Sequence, residues 1–129
     1  MSSQEQVVCV VEDNKAIRKL FCTLLNKAGI NTIDFGEGEP ALEWLKNNKP
    51  IALIVDILLP GNKSGTEILA AFKQFPGTEK IPTIAVTGFA QGNDREKFLE
   101  MGFDSYIPKP INTASFVNDI REVIAQKSK

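Results

Sequence analysis

The chain has 129 residues, of which 43% are apolar and 24% charged, as in an ordinary globular protein of one domain. Its net charge of −1 gives no strong field that would attract nucleic acid or an anionic membrane. The sequence contains no signal peptide and no apolar run near the ~20 residues that a membrane span needs. We therefore predict a cytoplasmic protein that binds neither nucleic acid nor membrane directly.

The chain contains no histidine and two cysteines, Cys9 and Cys22. Because histidine is the commonest general base and metal ligand, any metal here must be held by oxygen, which points to a hard cation such as Mg²⁺. The cysteine spacing matches neither a metal site nor a disulfide framework. Cys9 lies in an apolar run and is predicted to be a core residue.

Strand-like and helix-like stretches alternate from the start of the chain. An apolar strand over residues 7–11 precedes a helix over 14–27, which ends at Gly29. A weaker strand over 32–35 follows, and Pro40 opens the second helix. The first two strand–helix pairs thus take up the first third of the sequence.

The same alternation continues through the rest of the chain. An apolar strand over 51–55 leads through a loop to a helix over about 64–75. A strand over 83–86, a helix over 94–101 and a short strand over 105–108 come next. Three more strands and two more helices are therefore predicted before the final helix.

The final helix is capped by Asn112 or Thr113. Residues 1–5 and 127–129 are polar and are expected to be flexible ends. We therefore predict a single domain over residues 6–126, with no output domain.

Strict alternation of strand and helix predicts a parallel sheet with helices on both faces. Strands 1, 3 and 4 are apolar throughout, as expected for strands that are covered on both faces. Strand 2 mixes polar and apolar residues, and strand 5 contains Pro108, which is tolerated at a sheet edge. The order 2-1-3-4-5 satisfies these constraints with right-handed crossovers, so we predict an α/β, flavodoxin-like (βα)5 three-layer sandwich.

Ligands of such sheets bind beyond the carboxyl ends of the strands, where the winding reverses between strands 1 and 3. Polar residues follow four of the strand ends, namely Glu12 and Asp13, Asp56, Thr87, and Lys109. Three carboxylates, a hydroxyl and an ammonium are therefore expected at one rim of the sheet.

Crowded carboxylates repel one another, and at least one would take a proton unless a cation joined them. Mg²⁺ binds through one or two carboxylates together with waters and phosphate oxygens. Asp13 and Asp56 are the predicted direct ligands, and Glu12 acts directly or through water. The backbone carbonyl of Leu58 could complete the site.

A carboxylate can also attack phosphorus and form an aspartyl phosphate. Asp56 is the candidate nucleophile because it ends the central strand, with Mg²⁺ expected on one side and Lys109 on the other. Thr87 can donate a hydrogen bond to a phosphoryl oxygen. These residue types support phosphoryl transfer to Asp56.

Each residue also has an ordinary structural explanation when it is considered alone. Glu12 and Asp13 could simply open the first helix, where acids suit the dipole. Asp56 could be a turn acid and Lys109 a surface lysine. The whole set favours a functional site, because every member falls at the same rim.

The combined pattern resembles response regulator receiver domains over about residues 6–126. Its elements are Glu12-Asp13, Asp56 before Leu59-Pro60, Thr87, and Tyr106-Ile107-Pro108-Lys109-Pro110. The resemblance implies that Asp56 accepts phosphate from a histidine kinase or histidine phosphotransfer protein and that the acidic pair binds Mg²⁺. It also implies that Thr87 and Tyr106 are switch residues, and that Lys109 binds phosphate and precedes a cis bond to Pro110.

The resemblance further implies a receiver that catalyses its own phosphorylation and slow dephosphorylation, and is not otherwise an enzyme. Its signal is expected to reach a downstream protein through the face of helix 4, strand 5 and helix 5. Because helix 1 starts directly after Asp13, phosphodonor proteins are expected to dock over it, with Ile17 and Arg18 as candidate contacts.

Two positions depart from the family pattern. The sequence spacing from Asp56 to Gly65 is one residue longer than is common in the family, which indicates an enlarged loop over residues 61–64. Gly88 stands where the family often has alanine. These differences concern the local shape of two loops and leave the predicted chemistry unchanged.

Three other functions fit these residues less well. A flavin-binding electron carrier would need a phosphate loop where Glu12 and Asp13 stand, and these acids would repel a flavin phosphate. An aspartate-based phosphatase would need a second acid at the position of Leu58. A degenerate receiver that serves only as a binding module conflicts with the presence of the complete set of site residues.

Overall fold

The computed structural model of the chain describes residues 6–57, 64–88 and 94–127. A parallel sheet with the order β2-β1-β3-β4-β5 lies at its centre, which confirms the predicted order. Its strands are β1 (Val7–Val11), β2 (Asn31–Phe35), β3 (Ala52–Asp56), β4 (Thr83–Thr87) and β5 (Ser105–Pro108). The helices are α1 (Lys15–Lys27), α2 (Gly38–Asn47), α3 (Gly65–Lys73), α4 (Asp94–Met101) and α5 (Phe116–Lys127).

Alternate side chains of the central strands fill two separate apolar layers. In β1, Val8 and Val10 pack in the layer that includes Phe21 of α1 and Phe116 of α5. Cys9, between them, packs in the opposite layer, against α2 and α3. This alternation follows from the two-residue repeat of a strand, and it produces the predicted three-layer sandwich.

Helix α1 begins and ends where the sequence predicted. The side chain of Asn14 accepts a hydrogen bond from the backbone N–H of Ile17 at 3.0 Å, which caps the first turn. Gly29 follows the helix with φ +84°, a conformation that glycine adopts without steric cost. The cap at Asn14 places the start of α1 directly after the acidic pair that follows β1.

Two helices begin elsewhere than predicted. Helix α2 starts at Gly38, so Pro40 lies within its first turn instead of opening it. Proline is tolerated there because the first four N–H groups of a helix have no acceptor within the helix. Before α5, the Asn112 side chain accepts from the N–H of Ala114 at 2.9 Å, and a turn over 113–115 precedes the helix.

Helices α3 and α5 also end at different residues than predicted. Helix α3 ends at Lys73, and Phe75 belongs to a closing turn in which its N–H donates to the carbonyl of Phe72. Helix α5 reaches Lys127, where flexible chain was expected, and the Lys127 ammonium lies 2.9 Å from Asp104 Oδ1. In the described ranges, no helix has the length and apolarity needed to cross a bilayer.

Candidate functional site

An open cleft of about 510 Å³ lies at the carboxyl ends of β1, β3, β4 and β5. Its lining residues are Glu12, Asp13, Asn14, Ile17, Asp56, Thr87, Gly88 and Lys109. Five of the predicted site residues therefore meet in one cleft. Leu58, whose carbonyl was a predicted metal ligand, lies outside the described residues, as does most of the enlarged loop.

The three carboxylates of the cleft lie close together. Glu12, Asp13 and Asp56 each offer one oxygen, and these oxygens lie within 4.8 Å of one another. Glu12 and Asp56 are buried, whereas Asp13 is exposed. Such close negative charges repel, so the cluster favours a bound cation.

Lys109 supplies one positive charge to this cluster. Its Nζ atom lies 2.7 Å from Glu12 Oε1 and donates a hydrogen bond to Asp56 Oδ2 at 3.2 Å. Burial lowers the pKa of Lys109, but its contacts with Glu12 and Asp56 outweigh burial, and the pKa is raised overall. Lys109 is therefore an ammonium at neutral pH.

The carboxylate of Glu12 retains acceptor capacity inside the cleft. Its Oε2 accepts the backbone N–H of Asn14 at 3.0 Å. Its buried Oε1 has the close ion pair with Lys109, but no partner in hydrogen-bond geometry among the described residues. Burial, and then the charge of Asp56, raise the pKa of Glu12 above its ordinary value, although Lys109 and the N–H of Asn14 oppose this shift.

These observations fit a hard divalent cation. All three ligand atoms are carboxylate oxygens, which Mg²⁺ prefers, and Glu12 Oε1 is a buried acceptor without a hydrogen bond. A cation would also reduce the repulsion between Glu12 and Asp56. Glu12, Asp13 and Asp56 therefore form a chemically suitable Mg²⁺ site.

Gly65 allows α3 to begin directly behind Asp56. Its N–H donates to the carbonyl of Ile57 at 2.9 Å. A Cβ atom at Gly65 would lie 2.4 Å from the backbone oxygen of Asp56 and 2.8 Å from Ile57 Cα, so a larger residue would displace backbone. The capping box of Ser64 and Glu67 fixes the first turn of α3 at this point.

Thr87 and Tyr106 occupy different positions relative to the cleft. Thr87 is buried at the end of β4, and its carbonyl accepts the N–H of Lys109 at 3.0 Å. Tyr106, on β5, does not line the cleft; its ring centroid is 5.2 Å from that of Phe98 in α4. The peptide bond between Lys109 and Pro110 is cis, as the family resemblance implied.

Sequence reasoning missed two contacts that support the acidic pair. The N–H of Asn14 holds the Glu12 side chain, although Asn14 was recognised only as a helix start. The guanidinium of Arg18 donates to the Glu12 carbonyl at 2.9 Å, although Arg18 was assigned to partner docking. Arg18 stands four residues after Asn14, about one helical turn along α1. This spacing was the only signal in the sequence, and it does not indicate which group the guanidinium contacts.

A five-stranded parallel sheet with an acidic cluster and a lysine at its carboxyl rim defines a protein of the receiver class. The sequence model of the family described as response regulator receiver domain matches residues 8–121. The chain belongs to the response regulator receiver family. Membership of this family excludes the two rival classes, a flavin-binding electron carrier and an aspartate-based phosphatase.

Relatives and solved structures of the same kind resemble the chain over nearly its full length. It is 36% identical over 117 residues to polar-differentiation response regulators DivK of Brucella anthropi and Brucella ovis, covering 91% of this chain and 94% of each relative. A CheY-like response regulator receiver domain protein from Methanospirillum hungatei JF-1 has a TM-score of 0.83 at 27% identity, covering 97% of this chain and 98% of that one. The Francisella response regulator 1452 receiver domain shares the fold, with a TM-score of 0.85 at 21% identity, covering 97% and 100% of the two chains.

Proposed function

We propose that this receiver is a phosphorylation-dependent signalling switch that accepts a phosphoryl group on Asp56. The observation that carries the proposal is the position of Lys109, whose ammonium contacts both Asp56 and Glu12 within the acidic cleft. A cation on each side of Asp56 offsets the charge that an incoming phosphoryl group brings. The proposed donor is a histidine kinase or a histidine phosphotransfer protein.

The transfer is a displacement at phosphorus. A carboxylate oxygen of Asp56 forms a bond to phosphorus, and the bond from phosphorus to the donor's histidine nitrogen breaks, with its electron pair returning to that nitrogen. Lys109 is positioned to neutralise charge on the phosphoryl oxygens, and Thr87 to donate a hydrogen bond to one of them.

Glu12, Asp13 and Asp56 are the proposed Mg²⁺ ligands, with the Leu58 carbonyl as a further one. When bound, Mg²⁺ supplies positive charge and orients phosphoryl oxygens. The hydrogen bond from Asn14 N–H to Glu12 keeps one carboxylate oxygen engaged and leaves the other directed to the cluster.

The proposed output is a changed surface that a downstream protein recognises. Thr87 and Tyr106 lie on neighbouring strands, and the Tyr106 ring contacts Phe98 of α4. A new charge at Asp56 would bias this region between two arrangements, which a downstream protein recognises on the face of α4, β5 and α5.

The proposed location is the cytoplasm. Both cysteines are free thiols, which suits a reducing compartment.

The test is phosphorylation by a small acyl phosphate in the presence of Mg²⁺, followed by the mass of the intact protein. The wild type should gain one phosphoryl group, while Asp56→Asn should gain none and chelation of Mg²⁺ should prevent the gain. Asp119→Asn is the matched control, because Asp119 lies on α5 and does not line the cleft. An equal mass gain in Asp56→Asn would overturn the assignment.

A further inference from the structure

Arg18 makes two hydrogen bonds that connect the ends of β1 and β2. Its Nη1 donates to the backbone carbonyl of Glu12 at 2.9 Å, and its Nε donates to Asp34 Oδ2 at 2.9 Å. The Arg18 side chain is only 20% exposed, whereas that of Asp34 is 46% exposed. The guanidinium is therefore held by two hydrogen bonds beside the acidic pair, and its role in partner docking stays a prediction.

Gly36 provides the space that this guanidinium occupies. A Cβ atom at Gly36 would lie 2.7 Å from Arg18 Nη1, closer than such contacts allow. The residue before Gly36 also contacts Glu12, because the N–H of Glu12 donates to the carbonyl of Phe35 at 3.0 Å. The backbone of Glu12 is thus held at both its N–H and its carbonyl, and a side chain at Gly36 would require the Arg18 guanidinium to shift.

We propose that Arg18 is a positioning residue for the cation site, with Asp34 orienting its guanidinium and Gly36 leaving room for it. By fixing the carbonyl of Glu12, Arg18 fixes where β1 ends and α1 begins, and hence the positions of the Glu12 and Asp13 carboxylates. The inference rests on the proposed function, because it assumes that these carboxylates hold Mg²⁺. Contacts behind the ligands of a metal typically change its affinity 10- to 100-fold.

The sign of the effect separates positioning from simple electrostatics. A guanidinium beside an acidic cluster repels a second cation, so its removal alone would tighten Mg²⁺ binding. Loss of positioning would weaken binding instead. Lysine at position 18 keeps the charge and one donor group, but it cannot bridge the Glu12 carbonyl and Asp34 in the fixed geometry of a guanidinium.

The experiment is a calorimetric Mg²⁺ titration of the full chain, with thermal unfolding as a check on folding. Arg18→Ala should weaken Mg²⁺ binding about tenfold or more, and Arg18→Lys should restore part of that loss. Gly36→Ala keeps Arg18 but displaces its guanidinium, so it should weaken binding similarly and add little in an Arg18→Ala background. Arg121→Ala is the matched control, because Arg121 also donates to a backbone carbonyl, that of Ala28, at 3.0 Å and away from the cleft.

Unchanged or tighter Mg²⁺ binding in both Arg18→Ala and Gly36→Ala would overturn the inference while leaving the proposed function intact. If Arg18→Ala does not fold, Gly36→Ala decides the question in the same way. Absence of Mg²⁺ binding by the wild type would overturn the metal assignment of the proposed function, and the inference with it.

Discussion

Gly65 and Gly88 flank the acidic cleft, and an added methyl group would meet different surroundings at the two positions. At Gly65 it would collide with the backbone of Asp56 and Ile57. At Gly88 it would meet no atom of the described residues within 4 Å, and the φ angle there is not positive. Glycine is therefore sterically required at position 65, whereas the described residues show no such requirement at position 88.

Alanine substitution at these two glycines should have opposite effects on the free energy of unfolding. Gly65→Ala should lower it by about 1–3 kcal/mol, because backbone must move to relieve the collision. Gly88→Ala should raise it by about 0.4–1 kcal/mol, because the unfolded chain loses conformational freedom. Urea denaturation of both variants measures the difference, and equal effects would contradict this account of the site.

At the scale of a single element, helix α1 presents apolar residues beside the cleft. Ile17 lines the cleft and also packs against the core, while Leu20 is 37% exposed on the same helix. An exposed apolar side chain on the helix that borders the cleft is a suitable contact for a partner protein. Ile17 is therefore a core-packing residue that also lines the cleft, and its role in docking stays a prediction.

Truncation of α1 should affect a protein donor and a small donor differently. Ile17→Ala and Leu20→Ala should each slow phosphoryl transfer from a cognate phosphodonor protein roughly tenfold, as expected when an interface contact worth more than ~1 kcal/mol is lost. Transfer from a small acyl phosphate should be unchanged. The control is Leu99→Ala, since Leu99 is 38% exposed on α4, and equal slowing with both donors would reject docking over α1.

Phosphorylation should alter β4 and β5 more than the rest of the sheet. Thr87 lies in the cleft and Tyr106 contacts Phe98, so a phosphoryl mimic at Asp56 should shift the amide resonances of Thr87 and Tyr106. Leu45 of α2 packs in a separate apolar cluster with Cys9 and Val11 of β1, and should shift little. Unchanged resonances at Thr87 and Tyr106 would argue against the proposed switch.

Sequence patterns predicted the elements better than their ends. Strand order followed from where apolar runs and Pro108 occur, because burial on both faces and edge position constrain composition directly. The starts of α2 and α5 were wrong by a few residues, since Pro40 is acceptable anywhere in a first turn and Asn112 caps a turn before its helix. Such choices depend on tertiary packing, which local sequence does not encode.

The candidate site was predictable to the extent that its residues end parallel strands. Glu12, Asp56 and Lys109 meet because strand topology brings those ends together. The contact between Arg18 and the Glu12 carbonyl could not be predicted, because a backbone acceptor leaves no trace in residue type. The closeness of Gly36 to the Arg18 guanidinium could not be predicted either, because it depends on the three-dimensional arrangement of the two residues.

At the scale of the whole molecule, Asp104 connects β4, β5 and α5 at the amino ends of the strands, opposite the cleft. Its Oδ2 accepts the Thr83 N–H at 2.8 Å and the Thr83 hydroxyl at 3.2 Å. Its Oδ1 lies 2.9 Å from Lys127 Nζ at the end of α5. One carboxylate therefore holds the starts of β4 and β5 and the last turn of α5 together.

Removal of this carboxylate should destabilise the fold. Asp104→Ala should lower the free energy of unfolding by about 1–3 kcal/mol, because the buried N–H of Thr83 loses its partner. Lys46→Ala should change it by less than about 1 kcal/mol, since the pair of Lys46 and Glu43 is exposed. Urea denaturation compares the two, and a loss in Asp104→Ala no larger than in Lys46→Ala would contradict the prediction.

Cys9, at the centre of β1, can report on opening of the sheet in solution. Burial raises the pKa of the Cys9 thiol, with Asp34 and Cys22 adding to the shift, and the side chain is fully buried. Because the thiolate is the form that alkylating reagents attack, Cys9 should react only in molecules whose sheet has opened. Cys22 is half-buried, so its labelling should come first, or be removed by Cys22→Ser. The rate of Cys9 alkylation, with and without Mg²⁺, then measures the free energy of opening under native conditions, with no denaturant and no added fluorophore.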